Sequence, residues 1–442
     1  MTSSVTRAGA VATIGCLALL APLLGWATAV LFGVVAIGAL LVPHESRLFS
    51  LMAAPADAEA ARLNHVAGFA LAVTALALLA TVEGFGLSTA VFVMTVLLLV
   101  GGNVVEMVTR TRVTNAWIEM LSFLAGGTLA GILGYVVMEF LAPHAGIYPA
   151  STVVAFAIIG TLIAALSRLE WSRRDEPITL FSVAIVLWLL SALQLELTIT
   201  VVGVGIAITG GLGIAAYLTE TASIPGMVAG VLLGFLTIVL GGFAWFALLF
   251  AFFAVGGLAT KYRYEEKARH GVAEDNDGAR GSANVLSNSS VALIAVLGYA
   301  AATDISEMLS TLFAIAFAGA VATALADTLS SEIGSLFGGT RLITTFEQVP
   351  PGTNGGVTVQ GGIAGLAGAG IVTGLGVAFV PELLPWMAPI VITAGVAGMF
   401  ADSLFGATIE GSVITNGGVN FLGTLTGSIV ATGCYVLIVS IG

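Results

Sequence analysis

Residues 221–260 read TASIPGMVAGVLLGFLTIVLGGFAWFALLFAFFAVGGLAT and contain no Asp, Glu, Lys or Arg. A helix needs roughly 20 apolar residues to cross a bilayer, and this stretch is long enough for two such helices. Residues 8–43 and 411–442 are equally free of these charged residues. The three stretches predict membrane-spanning helices near the start, the middle and the end of the chain.

The composition of the whole chain indicates the same class. Of its 442 residues, 58% are hydrophobic and only 9% are Asp, Glu, Lys or Arg. Soluble domains carry about 25% charged residues, so this chain cannot cover a surface that faces water. We therefore predict an integral membrane protein, which excludes nucleic-acid binding, secretion and a soluble enzyme fold.

The apolar segments predict helices rather than strands. Outer-membrane barrels show segments of about 10 residues with alternating polarity, whereas these segments are long and apolar on all sides. We predict an all-α, polytopic integral membrane bundle of about 15 transmembrane helices. The spans lie near residues 8–24, 26–42, 64–82, 85–102, 117–140, 151–166, 178–195, 197–218, 223–240, 242–259, 285–303, 307–326, 357–379, 385–402 and 419–441.

The basic residues predict the orientation in the membrane. If Arg7 is cytoplasmic, all 14 Lys and Arg residues fall on the cytoplasmic side of these spans, whereas Asp304 and Glu382 fall on the opposite side. Cytoplasmic loops of membrane proteins are enriched in Lys and Arg. We therefore predict an integral cell-membrane protein with a cytoplasmic N-terminus.

Charge is concentrated in the second half of the chain. Residues 261–280 contain 10 charged residues, and their spacing predicts that the preceding helix continues into the cytoplasm and ends at Gly271. A basic segment of this kind attracts anionic lipid headgroups. A phosphate clamp is the alternative interpretation. Polar residues at the start of the next span favour the clamp. The residues predicted to form the clamp are Lys261, Arg263, Arg280, Asn284 and Asn288.

A carboxylate and hydroxyl groups share one face at the cytoplasmic end of the span near residues 307–326. Asp327 and Ser330 are three residues apart, and Glu332 follows them. Such hard oxygen ligands suit Mg²⁺ held together with nucleotide phosphates. The simpler alternative is an acid exposed to the cytosol at a helix end, but an ionisable group at membrane depth is a functional hypothesis in itself.

Two further segments add candidates on the same side. Arg341 precedes the turn Pro350–Gly356, where Thr353, Asn354 and Gly355 can turn backbone N–H groups towards an anion, although such a sequence also forms ordinary turns. Asp402 brings a second carboxylate to the cytoplasmic end of another span. Asp327 and Asp402 together would hold Mg²⁺ beside a polyphosphate and orient an in-line transfer.

These segments resemble a known membrane family. The stretches 259–267, 326–334, 341–356 and 402–407 are similar, in the same order, to the family that contains plant phytyl-phosphate kinase and the transmembrane-protein-19-like proteins. The resemblance covers residues 197–442 and implies transfer of a phosphoryl group from a nucleoside triphosphate, CTP or ATP, to an isoprenoid lipid monophosphate. The acceptor chain is then expected among glycine-rich helices.

Residues 1–196 lie outside this resemblance and form an N-terminal multi-span extension of unknown function. They are faintly similar to dolichol and phytol kinases, but Asn103 stands where an Asp is expected, which makes a second active site doubtful. A scaffold or a lipid-guiding extension is the plainer interpretation.

The sequence thus predicts a Mg²⁺-dependent prenyl-phosphate kinase, a phosphotransferase with its active site at the cytoplasmic face. Asp327 and Asp402 are the predicted catalytic residues and metal ligands, with Glu332 as a further ligand. A secondary transporter of a small or anionic solute is the alternative, because intramembrane acids and broken glycine-rich helices are common there, and a non-catalytic scaffold is the third. Transport sites lie near the middle of the bilayer, whereas these acids lie at helix ends.

Overall fold

The computed structural model describes residues 4–82, 86–143, 148–170, 176–269, 271–272 and 279–441. Apart from a short β-hairpin, the regular structure of these residues is helical. The chain separates into two compact units, Met1–Val202 and Gly203–Gly442, and each is described by itself.

The first unit is built from apolar helices joined by short loops. A 3₁₀ turn, Cys16–Leu20, connects its first two helices, and the side chains of Phe69, Phe92 and Phe156 are fully buried between helices. Its helices are α1 (Ser4–Gly15), α2 (Ala21–Leu24), α3 (Ala27–Leu41), α4 (Arg47–Met52), α5 (Pro55–Ala60), α6 (Asn64–Leu79), α7 (Thr89–Arg110), α8 (Ala116–Leu141), α9 (Ala150–Glu170) and α10 (Glu176–Ala192).

The second unit contains longer helices and the hairpin. Its first helix, α11 (Ile199–Leu218), begins in the first unit. The remaining elements are α12 (Ile224–Gly241), α13 (Phe243–Lys261), α14 (Tyr264–Arg269), α15 (Ser282–Ala302), α16 (Glu307–Gly334), β1 (Arg341–Leu342), β2 (Gly356–Val357), α17 (Val359–Phe379), α18 (Ala388–Thr408) and α19 (Asn416–Ile441).

The helices agree with the predicted membrane spans. Among the described residues, 12 helices are long and apolar enough to cross a membrane. Three shorter apolar helices, Ala27–Leu41, Asn64–Leu79 and Glu176–Ala192, correspond to further predicted spans. The prediction of an all-α polytopic membrane bundle is confirmed.

Helix α16 lies at the centre of the second unit and packs against α13, α15, α17, α18 and α19. Its residues from Ala314 to Ala326 are buried. Glycines allow its neighbours to come close: a Cβ atom added at Gly319 would lie 2.9 Å from the Gly427 carbonyl oxygen of α19. The end of α16 that carries Asp327 is therefore held firmly between other helices.

The prediction of a continuous helix through residues 261–270 is wrong. Helix α13 ends because Tyr262 is extended, with ψ of 121°, and Arg263 has a positive φ of 51°. The chain turns back, and the Lys267 amino group bonds to the end of α13 and to Glu332. These tertiary bonds outweigh the local charge spacing. Gly271 has φ of 69°, the left-handed conformation typical of a helix end.

The polar loop after α16 is closed by the hairpin. Strands β1 and β2 pair antiparallel, with Arg341 opposite Val357 and Leu342 opposite Gly356. The Ile343 N–H donates to the Gly355 carbonyl oxygen at 3.0 Å. The hairpin therefore holds residues 352–356 beside the ends of the neighbouring helices.

Candidate active site at one end of the second unit

A polar cavity of about 270 Å³ lies where several helices of the second unit begin or end. Its wall is formed by the last turns of α16 and α18, the first turns of α15 and α19, and the loop 352–356. The predicted site residues in this wall are Arg280, Asn284, Asn288, Asp327, Ser330, Glu332, Thr353, Asn354, Gly355 and Asp402. Residues from four separate segments of the sequence therefore meet in one cavity.

The side chains of Asp327 and Asp402 lie close enough for their carboxyl groups to interact directly. Both residues line the cavity and both are partly exposed to it. Two carboxylates at this separation repel each other unless a proton or a cation lies between them. The structure thus brings together, on different helices, the two acids to which the sequence prediction gives the central role.

Glycine residues set the positions of these two acids. A Cβ atom added at Gly423 of α19 would lie 2.8 Å from Asp402 Oδ2, and one added at Gly365 of α17 would lie 2.9 Å from the Ala326 carbonyl oxygen. Any larger side chain would push these helices apart. The glycines that the sequence shows in these spans therefore allow the helices on which the acids lie to approach closely.

Helix starts contribute the polar groups opposite the acids. Asn288 in α15 is buried, and its amide donates to the Asn284 carbonyl oxygen at 2.9 Å. Thr358 caps α17 by accepting from the Gly361 N–H at 3.0 Å, and Asn420 near the start of α19 is buried. Helix N-termini carry partial positive charge, which favours anionic ligands in this cavity.

Arg280 supplies a buried cation. Only 8% of its surface is exposed, and its guanidinium carbon lies 5.2 Å from the centre of the Phe252 ring. Its backbone N–H donates to the Thr221 carbonyl oxygen at 3.0 Å, and its carbonyl oxygen accepts from the Ser223 N–H at 3.1 Å. The backbone of Arg280 is therefore held by the turn between α11 and α12, and its side chain lies against α13.

Three predicted phosphate-binding residues do not line this cavity. Arg263 pairs with Glu266 of helix α14, and Arg341 donates to the Phe346 carbonyl oxygen at 2.8 Å within its own hairpin. The Lys261 amino group lies 5.9 Å from the centre of the Tyr264 ring. Because these side chains have neighbours of their own outside the cavity wall, Arg280 is the predicted basic residue that the structure brings to the acids.

Gly355 lets the loop 352–356 lie against α18. It has φ of 75°, and an added Cβ atom would lie 2.6 Å from the Ser403 carbonyl oxygen. Thr353 lines the cavity, but its hydroxyl donates to the Pro350 carbonyl oxygen at 2.7 Å, so it shapes the turn. Asn354 is exposed at the cavity wall.

Glu332 has a partner that the sequence prediction missed. Its carboxylate forms a buried ion pair with Lys267, whose side chain is 1% exposed. The Lys267 amino group also donates to the Thr260 carbonyl oxygen at 2.6 Å and to that of Ala259 at 3.1 Å. Glu332 thus connects α16 to the segment after α13, and its part as a metal ligand stays a prediction.

Some residues of the cavity wall had no predicted role. They include Thr340, Ser403, Glu410, Asn416 and Asn420. Burial raises the pKa of the Glu410 carboxyl group, which lies beyond the end of α18. The Thr340 hydroxyl is buried without a hydrogen-bond partner among the described residues. Asn416 and Asn420 could have been predicted as wall residues, because two amides four residues apart at the start of a span fall on one helix face.

The donor groups of this cavity fit Mg²⁺. Magnesium usually takes one or two protein carboxylates and completes its shell with water and substrate oxygens. Asp327 and Asp402 supply two carboxylates in contact, and the Ser330 and Thr340 hydroxyls lie in the same wall. Within the described residues, no group of three or more His, Cys, Asp or Glu side chains forms a metal site. Two protein carboxylates are a number that magnesium usually takes, so the pair of acids suits an ion shared with a substrate.

Comparison with known proteins shows the family. A family model described as integral membrane protein DUF92 matches residues 207–428, which is half of the chain. The chain belongs to the DUF92 family. The match lies within the resemblance predicted from the sequence and contains Arg280, Asp327 and Asp402. No solved structure matches the chain significantly.

Three relatives align with about half of this chain. Protein VTE6, chloroplastic, of Arabidopsis thaliana is 32% identical over 225 residues, which cover 48% of this chain and 65% of the relative. An uncharacterized membrane protein of Methanocaldococcus jannaschii is 32% identical over 219 residues, covering 48% of this chain and 84% of the relative. Protein PGR of Arabidopsis thaliana is 31% identical over 229 residues, covering 46% and 77%. The chain thus spans less than two thirds of VTE6.

A second polar cluster lies in the first unit, outside the DUF92 match. The Asn103 amide donates to Glu176 Oε1 at 3.3 Å, and His65 Nε2 lies 3.4 Å from the same oxygen. Arg168 pairs with Glu106 at 2.7 Å. Asn103, which stands where an Asp is expected, therefore shares Glu176 with His65 in a bonded group of side chains.

Proposed function

We propose that this protein is a membrane kinase that transfers a phosphoryl group from a nucleoside triphosphate, CTP or ATP, to an isoprenoid lipid monophosphate. The resemblance of its second half to the phytyl-phosphate kinase family implies this reaction. The observation that carries the proposal is the contact between Asp327 and Asp402 inside a polar cavity at a helix-bundle end. A secondary transporter would place its site near the middle of the bilayer, whereas these acids lie at helix ends.

The charges of the cavity suit a polyphosphate and an acceptor phosphate. Asp327 and Asp402 would hold Mg²⁺, which would reduce the negative charge of the phosphates. Arg280 and the N-terminal ends of α15, α17 and α19 would bind phosphate oxygens. We further propose that the cavity opens to the cytoplasm, where nucleoside triphosphates are present, on the basis of the positive-inside rule.

The transfer requires little covalent chemistry from the protein. The bond between the terminal phosphorus and the bridging oxygen of the nucleotide breaks, and the nucleoside diphosphate leaves with that oxygen. A new bond forms between this phosphorus and an oxygen of the acceptor monophosphate. Because that oxygen is already anionic, no strong general base is needed, and catalysis rests on position and charge.

Substitution of either acid tests the proposal. We expect Asp327→Asn and Asp402→Asn each to lower diphosphate formation by about a hundredfold or more, because each removes charge that would hold the metal. Asp304→Asn, at an exposed acid outside the cavity, is the matched control and should retain activity. The measurement is the formation of labelled prenyl diphosphate from labelled CTP or ATP by the purified protein.

The panel of acceptors should include prenyl monophosphates of several chain lengths and the corresponding alcohols. If the protein phosphorylates only the alcohols, the acceptor is a prenyl alcohol and not a monophosphate. If the wild-type protein forms no diphosphate with any donor and acceptor, or if both Asn variants keep full activity, the proposal is wrong.

A further inference from the structure

An apolar cavity of about 350 Å³ lies in the second unit between α11, α12 and α13. Its wall includes Leu212, Met227, Val231, Phe246 and Phe253, and its volume is within the usual range of about 300–1,000 Å³ for small-molecule sites. Leu258 at its edge is 71% exposed. In a membrane protein such an exposed apolar residue faces lipid, so the cavity is accessible from the bilayer.

Glycines keep this cavity open. A Cβ atom added at Gly230 of α12 or at Gly257 of α13 would meet no other atom within 4 Å. Gly257 is nevertheless a buried residue, so the free space beside it belongs to the interior and not to the outer surface. Both positions leave room for a ligand without weakening a helix contact.

Arg280 lines both this apolar cavity and the polar cavity of the two acids. Its guanidinium group lies beside Gly256 of α13, where an added Cβ atom would be 2.8 Å from Nη2. A larger residue at position 256 would therefore displace the guanidinium. A buried cation thus stands at the junction of an apolar space and a polar one.

This arrangement matches a molecule with a hydrocarbon chain and an anionic head. We propose that the cavity between α11, α12 and α13 binds the prenyl chain of the lipid monophosphate, while Arg280 binds its phosphate at the border of the polar cavity. The inference rests on the proposed function and adds where the acceptor lies. Charge complementarity identifies the occupant, because a hydrocarbon chain fits the apolar cavity and an anionic head fits the cation that lines both cavities.

Photolabelling tests the chain position without requiring turnover. The probe is geranylgeranyl monophosphate with a diazirine on its chain, added to the full-length protein in vesicles of neutral phospholipid. We expect label on α11, α12 and α13, displaced by unlabelled geranylgeranyl monophosphate and not by geranylgeraniol. Label elsewhere overturns the inference, and so does equal labelling by a phospholipid with the same diazirine, since the cavity then holds bulk lipid.

Substitutions at the open glycines sharpen this test. Gly230→Leu and Gly257→Leu place side chains in the space assigned to the prenyl chain, and we expect each to lower the labelling of α11–α13 by about tenfold or more. Gly211→Leu is the matched control, because Gly211 lies on α11 outside this cavity and an added Cβ atom meets nothing there. Its labelling should change by less than about twofold. Equal effects at all three positions would contradict the inference.

Phosphoryl transfer measured on the same samples separates the two proposals. If diphosphate forms but the label misses α11–α13, the kinase proposal stands and the chain site is wrong. If the label is found there and depends on the phosphate, but no donor yields diphosphate, the lipid site stands and the kinase proposal is wrong.

Discussion

Lys267 and Glu332 form a buried ion pair that connects the segment after α13 to the end of α16. Removing one partner leaves a buried charge without compensation. We expect Lys267→Met to lower the free energy of unfolding by about 3–5 kcal/mol, with the same direction for Glu332→Gln. Thermal unfolding in detergent measures the change.

The exposed pair of Arg263 and Glu266 provides the comparison. The Arg263 side chain is 49% exposed, so Arg263→Met should change the unfolding free energy by less than about 1 kcal/mol. The double variant Lys267→Met with Glu332→Met removes both buried charges and should recover most of the stability. If it recovers stability but not phosphoryl transfer, the pair contributes to activity as well as to stability, as a metal ligand at Glu332 would.

The types of residue near helix ends predicted the candidate site better than the spacing of charged residues did. Asp327 and Asp402 could be predicted as a pair because each acid follows a long uncharged stretch and both fall on one side of the membrane. The ion pair of Lys267 and Glu332 could not be predicted, because it depends on the chain reversal at Arg263. The charge spacing after α13 fits a continuous helix equally well.

Helix α19 approaches α16 so closely that small residues are required between them. An added Cβ atom at Gly427 would lie 3.0 Å from the Gly319 carbonyl oxygen and would overlap the Thr323 hydroxyl. We expect Gly427→Ala to destabilise the protein by about 1–3 kcal/mol and to lower activity, because displaced helices separate the acids. Thermal unfolding and diphosphate formation are the measurements.

Gly433 on the same helix gives the matched control. An added Cβ atom there meets no other atom within 4 Å, and the residue is exposed. Gly433→Ala should leave both unfolding temperature and activity close to those of the wild type. A similar loss in both variants would mean that alanine affects α19 itself and not its contact with α16.

The positions of the elements followed from hydropathy, but their irregular connections did not. Each predicted span coincides with helical structure, which in residues 8–24 includes a 3₁₀ turn, because a long apolar stretch has few alternatives in a membrane. The hairpin at 341–357 was predicted only as a turn, since two-residue strands have no periodicity to detect. Its register depends on contacts with α18 through Gly355, which local sequence does not contain.

The whole molecule has a predicted orientation that single cysteines can test. Cys16 and Cys434 are replaced by Ser, and one cysteine is introduced as Glu347→Cys or as Asp304→Cys. Both positions are exposed. We expect a membrane-impermeant maleimide to label Asp304→Cys in intact cells, and Glu347→Cys only after permeabilisation, because the positive-inside rule predicts that the basic loops are cytoplasmic. The opposite pattern would place the acid pair outside the cell.

For the molecule as a whole, the sequence predicted a reaction for the second unit but no role for the first unit. The DUF92 match and the polar cavity both fall in the second unit. In the first unit, the replacement of an expected Asp by Asn103 gave a reason to doubt a second active site, but it could not reveal the bonded network with Glu176. Networks of this kind join residues from distant helices.

The exposed edge at Leu258 has a kinetic consequence. A lipid that enters there never leaves the bilayer, so the quantity that governs occupancy is the mole fraction of acceptor in the membrane and not its amount per volume of buffer. Diluting vesicles of constant composition should leave the rate per protein unchanged, whereas adding inert lipid at constant acceptor should slow it.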